Sequence, residues 1–223
     1  VASLLITIDG PSGAGKTTVS RLLAKELGYT YVDTGALYRA VALAVLSEKC
    51  PANADRRVAQ ICRHLRFRFE NSSKGPRLYM NEADITDEIR TPEITMLASA
   101  VSAKPVVRQR LLGVQREMGK NGGVVFEGRD MGTVVFPGAD VKFFLDADPK
   151  VRALRRHKEL VATGVNISLD EVTHSMQKRD RDDSSRALAP LKPADDAIRI
   201  DSTSLKIRRV VGLMLGHVRV SVK

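Results

Sequence analysis

Gly10-Pro11-Ser12-Gly13-Ala14-Gly15-Lys16-Thr17 has the spacing Gly-x4-Gly-Lys-Thr of a phosphate-binding loop. No other stretch constrains the fold as much. Small residues let the backbone curl closely around a phosphate chain, and the N–H groups of the loop and the following helix then point at the anion. Lys16, expected to be exposed, is placed to reach the β- and γ-phosphates, and the Thr17 hydroxyl to bind Mg²⁺. The residues from Gly10 through Lys16, with Thr17 and Thr18, form the expected ATP-binding set. Leu4-Leu5-Ile6-Thr7-Ile8 reads as a buried strand entering the loop. The run from Thr18 to Leu27 reads as the helix leaving it, with Gly28 as its stop. A glycine-rich turn without a ligand is the bland alternative.

At 223 residues the chain is long enough for one large domain or a core with insertions, and its hydrophobic share of 43% suits a globular protein. It contains no apolar run of about 18 residues, so no membrane span or membrane partner is expected. It opens on a strand pattern, so no secretory signal is expected. Cys50 and Cys62 lack metal-type spacing and are expected to be reduced thiols of a cytoplasmic protein. Thirty-six Lys and Arg against 26 Asp and Glu give a net charge of +10. Such an excess fits nucleic acid, an anionic surface or phosphorylated small molecules. Only 4% of residues are aromatic and no basic run reaches five, which argues against a stacking surface for single strands. Scattered arginines beside a phosphate loop fit a small polyphosphate better.

Short apolar runs alternate with helical patterns. Strands are expected at 30–33, 124–127, 141–145 and 197–200, and helices at 36–47, 92–102, 105–118, 149–163, 169–184 and 205–218. Alternating βα units imply a parallel sheet wrapped by helices, with ligands beyond the carboxyl ends of its strands. One segment breaks the rhythm. Residues 65–70 alternate apolar and charged, 71–76 read as a turn, and 77–80 as a returning strand. This hairpin, with the polar stretch 82–91, reads as an insertion.

Three charged clusters lie along the chain. In Asp33-Thr34-Gly35-Ala36-Leu37-Tyr38-Arg39, Thr34 can cap a helix. Arg39 sits in the first turns, where the helix dipole disfavours a cation, and this points to an anion partner. Glu127-Gly128-Arg129-Asp130-Met131-Gly132-Thr133 follows a strand. Glu127 takes the position of a carboxylate that holds Mg²⁺ through water, and Arg129 and Asp130 project into the cleft. A surface Arg–Asp pair on a tight turn is the alternative. On a helix, Arg179, Asp183 and Arg186 share a face, although alternating charge there is also ordinary salt-bridge decoration. Arg152, Arg155 and Arg156 precede the flexible Thr163-Gly164. They suit a lid that closes over transferring phosphates, or else a solvated face.

Together these blocks, continued by Ala189-Pro190-Leu191, resemble the bacterial cytidylate kinases of the nucleoside monophosphate kinase family of P-loop kinases. The Gly-Arg-Asp-Met-Gly-Thr block and the Asp-Ser-x-Arg helix are its more specific parts. The resemblance implies an α/β three-layer fold with a five-stranded parallel sheet flanked by helices. It implies one kinase domain over 1–223, a monophosphate-binding insertion at about 64–91 containing the hairpin, and a short lid at about 152–166. It implies transfer of the ATP γ-phosphoryl to CMP or dCMP with Mg²⁺. Thr34, Arg108, Asp130 and Arg186 match positions that recognise cytosine. Ser99, Arg179 and Asp183 match those holding the pentose, and Arg39 and Arg129 those gripping the acceptor phosphate, with Tyr38 beside them in the substrate set. Lys16, Arg129, Arg152, Arg155 and Arg156 are the implied catalytic set, and Thr17 and Glu127 the implied metal set. Relatives often carry Ser where this chain has Thr34, and Asp where it has Glu127. A monomer with small nucleotides as partners, and no nucleic acid, is expected. A kinase acting on UMP or a small alcohol is the near alternative, and a polynucleotide-binding P-loop protein the distant one.

Overall fold

A computed structural model describes residues 3–51, 53–72 and 75–221. Strand β1 (Leu5–Asp9) is the middle of a five-stranded sheet. Its Ile6, Thr7 and Ile8 are all fully buried. An unbroken run of this kind is what a strand covered on both faces requires. β1 passes through the phosphate loop into α1 (Lys16–Leu27), which Gly28 ends in the left-handed conformation at φ 69°. β2 (Thr30–Asp33) and α2 (Thr34–Ser47) follow. Next come α3 (Asp55–His64), β3 (Phe67–Ser72), β4 (Gly75–Met80), β5 (Ala83–Asp84) and a 3-10 turn at Glu88–Arg90. The chain continues through α4 (Pro92–Ser102), α5 (Pro105–Gly119), β6 (Val124–Glu127) and one π-helical turn at Met131–Val135. It closes with β7 (Val141–Asp146), α6 (Pro149–Ala162), α7 (Leu169–Ser185), β8 (Ile198–Asp201) and α8 (Ile207–Ser221).

The main sheet runs β2-β6-β1-β7-β8, and every pairing in it is parallel. The chain therefore crosses from β1 over β6 to reach β2. The register sets Glu127 opposite both Ile8 and Asp33, so three carboxylates, Asp9, Glu127 and Asp33, gather at the carboxyl ends of neighbouring strands. Two large cores flank the sheet. One joins Ile6, Ile8, Leu23, Phe143, Val210 and Met214, under α1 and α8. The other joins Leu37, Val41 and Val45 of α2 to residues of α3, α4 and α5 and to Leu78, Ile85 and Ile89 of the insertion. β3, β4 and β5 form a separate antiparallel sheet. Two of the six residues expected to turn its hairpin, Ser73 and Lys74, lie outside the described residues.

The expected strands and helices appear with end shifts of a few residues. α3 is an addition. Val58 and Cys62 face a charged opposite side, Asp55 opens the helix and Arg63 and His64 close it, so a helical signal is present in the sequence; only a side-chain cap is lacking, at Ala54. The polar stretch 82–91 is not featureless, since Thr86 Oγ1 accepts from Leu78 N at 2.8 Å and ties it to β4. Among the described residues, no helix is long and apolar enough to cross a membrane.

Candidate functional site

The phosphate loop is shaped by close approach. A Cβ on Gly10, which has φ 146°, would stand 1.9 Å from the Leu145 carbonyl oxygen. Gly15, at φ 92°, caps α1 without a side-chain hydrogen bond, so the first-turn N–H groups remain available for an anion. Lys16 is 4% exposed, a correction to its expected exposure. Its Nζ donates to Pro11 O at 2.7 Å across the loop. Thr17 and Thr18 open to solvent on the first turn of α1. Thr17 Oγ1 donates to Glu127 Oε1 at 2.9 Å, and Tyr31 Oη to Glu127 Oε2 at 2.6 Å. Burial and the neighbouring Asp33 raise the Glu127 carboxyl above its usual range, and Lys16 opposes them.

Hard oxygen donors at Thr17 and Glu127, with Asp33 in register beside them, suit Mg²⁺. This ion takes one or two carboxylates, keeps waters and binds substrate phosphates. Among the described residues, no group of three His, Cys, Asp or Glu forms a full protein cage. The donor set fits the ion.

The facing side of the cleft is built from α2, α5, α7 and the turn after β6. Arg39 pairs with Asp33 at 2.8 Å, so the anion its position demands is supplied here by the residue that caps α2. Asp33 Oδ1 accepts from Ala36 N at 3.1 Å, which corrects the expected cap at Thr34. Thr34 lies inside the helix, and its Oγ1 donates to Glu127 O at 2.7 Å. Arg108 Nη2 donates to Asp130 Oδ2 at 2.5 Å, and the Arg108 guanidinium lies 5.7 Å from the Tyr38 ring centre. Arg129 Nε donates to Asp183 Oδ2 at 3.0 Å, and Arg186 reaches the other oxygen of Asp183 at 3.2 Å. Arg186 itself stands just beyond the end of α7. Ser99 is exposed on α4, and none of these contacts reaches it. An open pocket lined by Thr17, Tyr31, Asp33, Arg39, Arg77 and Arg90 sets the insertion beside this region.

The lid arginines divide. Arg152 is 5% exposed. It donates to Ala147 O at 3.0 Å, to Ser12 O at 3.1 Å and to Asp180 Oδ2 at 2.7 Å. Arg155 donates to Ser202 O at 2.7 Å, and Ser202 Oγ donates in turn to Ala14 O at 2.9 Å. Both side chains staple α6 to the phosphate loop. Arg156 pairs only loosely with Glu159, at 3.2 Å, and is half-exposed. Replacing Arg152 with alanine strands Asp180 and is expected to cost about 3 kcal/mol of stability, read by urea unfolding. Arg156→Ala is expected to leave unfolding unchanged and lower kcat about tenfold or more, as loss of a phosphate-facing arginine does. An unchanged kcat would return Arg156 to a solvated face.

Carboxylates pair with Arg39 and Arg129, at Asp33 and Asp183, yet positive charge still dominates around Lys16. Burial, Arg129 and Arg179 hold Lys16 down at about 7, against Glu127 and Asp9. Burial and the nearby Arg129, Arg39 and Arg156 hold Arg179 down at about 10, against Asp183. Positive charge gathered around a buried lysine is what a multiply charged anion would relieve. Tyr31, Asp33, Asp9 and Asp180 join the site without having been singled out for it. Asp33 and Asp180 stood inside charged clusters and Asp9 beside the phosphate loop; Tyr31 had no such neighbour.

The cytidylate kinase family model matches residues 6–220. The chain is 50% identical to the cytidylate kinase of Geobacter sulfurreducens over 97% of its own length and 93% of the relative's. It is 45% identical to that of Carboxydothermus hydrogenoformans, over 94% of this chain and 95% of the other. Among solved structures it is similar in fold to a gluconokinase from Sinorhizobium meliloti, with a TM-score of 0.50 and 16% identity over 98% and 94% of the two chains.

Proposed function

The chain belongs to the cytidylate kinase family, and from that premise we propose that it transfers the γ-phosphoryl of ATP directly to CMP or dCMP. The observation that carries this reading is the cluster of cations, buried Lys16 with Arg129, Arg179, Arg39 and Arg156 around it, between the phosphate loop and the base-side pair Arg108–Asp130. Phosphoryl transfer needs two anionic substrates aligned and their repulsion cancelled, with little covalent help from the protein. Lys16 and the N–H groups of the loop hold the donor phosphates. Arg39 and Arg129 exchange their carboxylate partners for the acceptor phosphate. Arg179 and Asp183 face the pentose, together with Ser99 of α4. Asp130, held by Arg108, accepts from the cytosine N4 amine. Thr17 and Glu127 would hold Mg²⁺, which when bound supplies charge neutralisation on the β- and γ-phosphate oxygens. One cytoplasmic kinase domain, with its insertion and its lid around α6, carries all of this as a monomer.

A coupled assay of ADP formation with CMP, dCMP, UMP and a polynucleotide tests the reading. CMP and dCMP should be turned over at low concentration and UMP poorly. Equal use of UMP would favour a general pyrimidine kinase, and salt-sensitive polynucleotide binding without turnover would overturn the assignment.

Donor binding should depend on pH through Lys16. Its ammonium is already formed below about 7 in the free protein. Above that value, binding a polyphosphate must draw a proton from solvent. Affinity for a non-hydrolysable ATP analogue should therefore fall as pH rises, by up to about tenfold per unit. Calorimetry in buffers of different ionisation enthalpy would show the proton uptake directly. Uptake that persists in Lys16→Met would assign it to another group.

A further inference from the structure

We propose that Asp9 is a positioning residue that locks the acceptor-binding turn onto the donor loop. This inference rests on the kinase reading above. Asp9 is the last residue of β1, directly before Gly10, and is 4% exposed. Its Oδ1 accepts from Met131 N at 2.9 Å and its Oδ2 from Gly132 N at 2.7 Å. These two N–H groups open the π-helical turn, where backbone donors have no partner within the turn itself. A carboxylate from a different strand thus caps the turn. Gly128 N also donates to Ile8 O at 3.1 Å, so the segment from Gly128 to Gly132 is pinned to β1 at both ends. Arg129 and Asp130 lie between these two anchors.

The fit is close. A Cβ on Gly132 would stand 3.1 Å from Thr7 Oγ1, 3.2 Å from Lys142 Cδ and 3.4 Å from Asp9 Oδ2. Burial and the nearby Asp130 lift the Asp9 carboxyl to about 6, against the two N–H donors and Lys16. It remains ionised, and a full acceptor, above that value. Neither Met131 nor Gly132 needs a charge for its own sake. What the pair of bonds fixes is the distance between the phosphate loop, which follows Asp9 in the chain, and the two side chains that meet CMP.

Asp9→Asn tests this. An amide offers one acceptor oxygen, and its NH₂ would face the second N–H, donor against donor. The turn should shift while the loop keeps its own glycine-set shape. The variant is expected to lose about tenfold to a hundredfold in kcat, the scale of a small misplacement, and to narrow the CMP-over-UMP preference. Its KM for ATP should change less than kcat does, because the loop contacts are unchanged and only the Asp9 charge near Lys16 is lost. Gly132→Ala crowds Thr7 Oγ1 and Lys142 Cδ beneath the same turn, so it shifts the turn without touching the loop and should give the same split. It carries the test if Asp9→Asn does not melt cooperatively. Wild-type kcat and an unchanged CMP/UMP ratio in a folded variant would overturn the proposal. So would a defect confined to the KM for ATP. If the wild-type protein fails to phosphorylate CMP, the functional reading falls instead, whatever the variants do.

Discussion

Lys16→Met should reduce phosphoryl transfer by about a hundredfold to a thousandfold, the cost of losing one donor aimed at developing phosphate charge. Methionine keeps the length and apolar character of the stem, which matters because Lys16 is buried. It loses the bond to Pro11 O but also removes an ammonium that Arg129 and Arg179 repel. Activity and stability should therefore separate. The native group binds its proton less tightly than the unfolded chain, whose lysine titrates near 10.5. Between about 7 and that value the unfolded state holds more protons, so this group's contribution to stability rises with pH. At pH 7 or below, the variant should melt no lower than the wild-type protein, and its advantage should shrink as pH rises. Loss of cooperative melting would instead assign Lys16 a packing role.

Asp130→Asn should cost about 2 kcal/mol or more of discrimination between CMP and UMP, roughly thirtyfold in the ratio of kcat/KM values. Asp130 is 4% exposed and receives Arg108 at 2.5 Å. Burial raises its carboxyl above the usual range, and Arg108 is the main influence holding it down. In the proposed reading the carboxylate accepts from the N4 amine of cytosine and repels the carbonyl that uracil presents there. An amide of the same size can donate to that carbonyl, so UMP should gain as CMP loses. The measurement is kcat/KM for both nucleotides at fixed ATP and Mg²⁺. An unchanged ratio would show that Asp130 does not read the base, and that its pair with Arg108 serves only to order the turn.

Much of this arrangement is written in local sequence, and the remainder depends on elements brought together from afar. The βα rhythm, the phosphate loop and the hairpin each leave a periodic or compositional trace within a few residues. Thr30–Asp33, Pro92–Ser102 and Val124–Glu127 could thus be placed to the residue. The blocks containing Arg39, Arg129 and Asp183 could be found as clusters of charge. Their pairings could not. Which carboxylate meets which guanidinium is decided by strand register and helix packing. Arg152 shows the limit. On a helical wheel it matches Arg156, yet the first is enclosed by Ser12, Ala147 and Asp180 and the second faces water. Asp9 shows it again, because its partners Met131 and Gly132 offer only backbone, which no side-chain pattern reveals. The π-helical turn has no signature of its own, since its i→i+5 bonds, such as Phe136 N to Met131 O, need tertiary support.

The two cores on either side of the sheet divide the labour of the molecule. The core under α1 and α8 carries the donor loop, and the core around α2 carries Asp33 and Arg39 together with the whole insertion. Since Leu78, Ile85 and Ile89 share one buried cluster with Leu37 and Val41, the insertion is mechanically continuous with the helix that meets the acceptor. The two clusters have no residue in common, so the donor loop and the insertion rest on different packed side chains. Variation on the outer face of the insertion can retune how the acceptor half closes and leave the donor half untouched. A lineage of such enzymes can thus alter acceptor capture without relearning how to hold ATP.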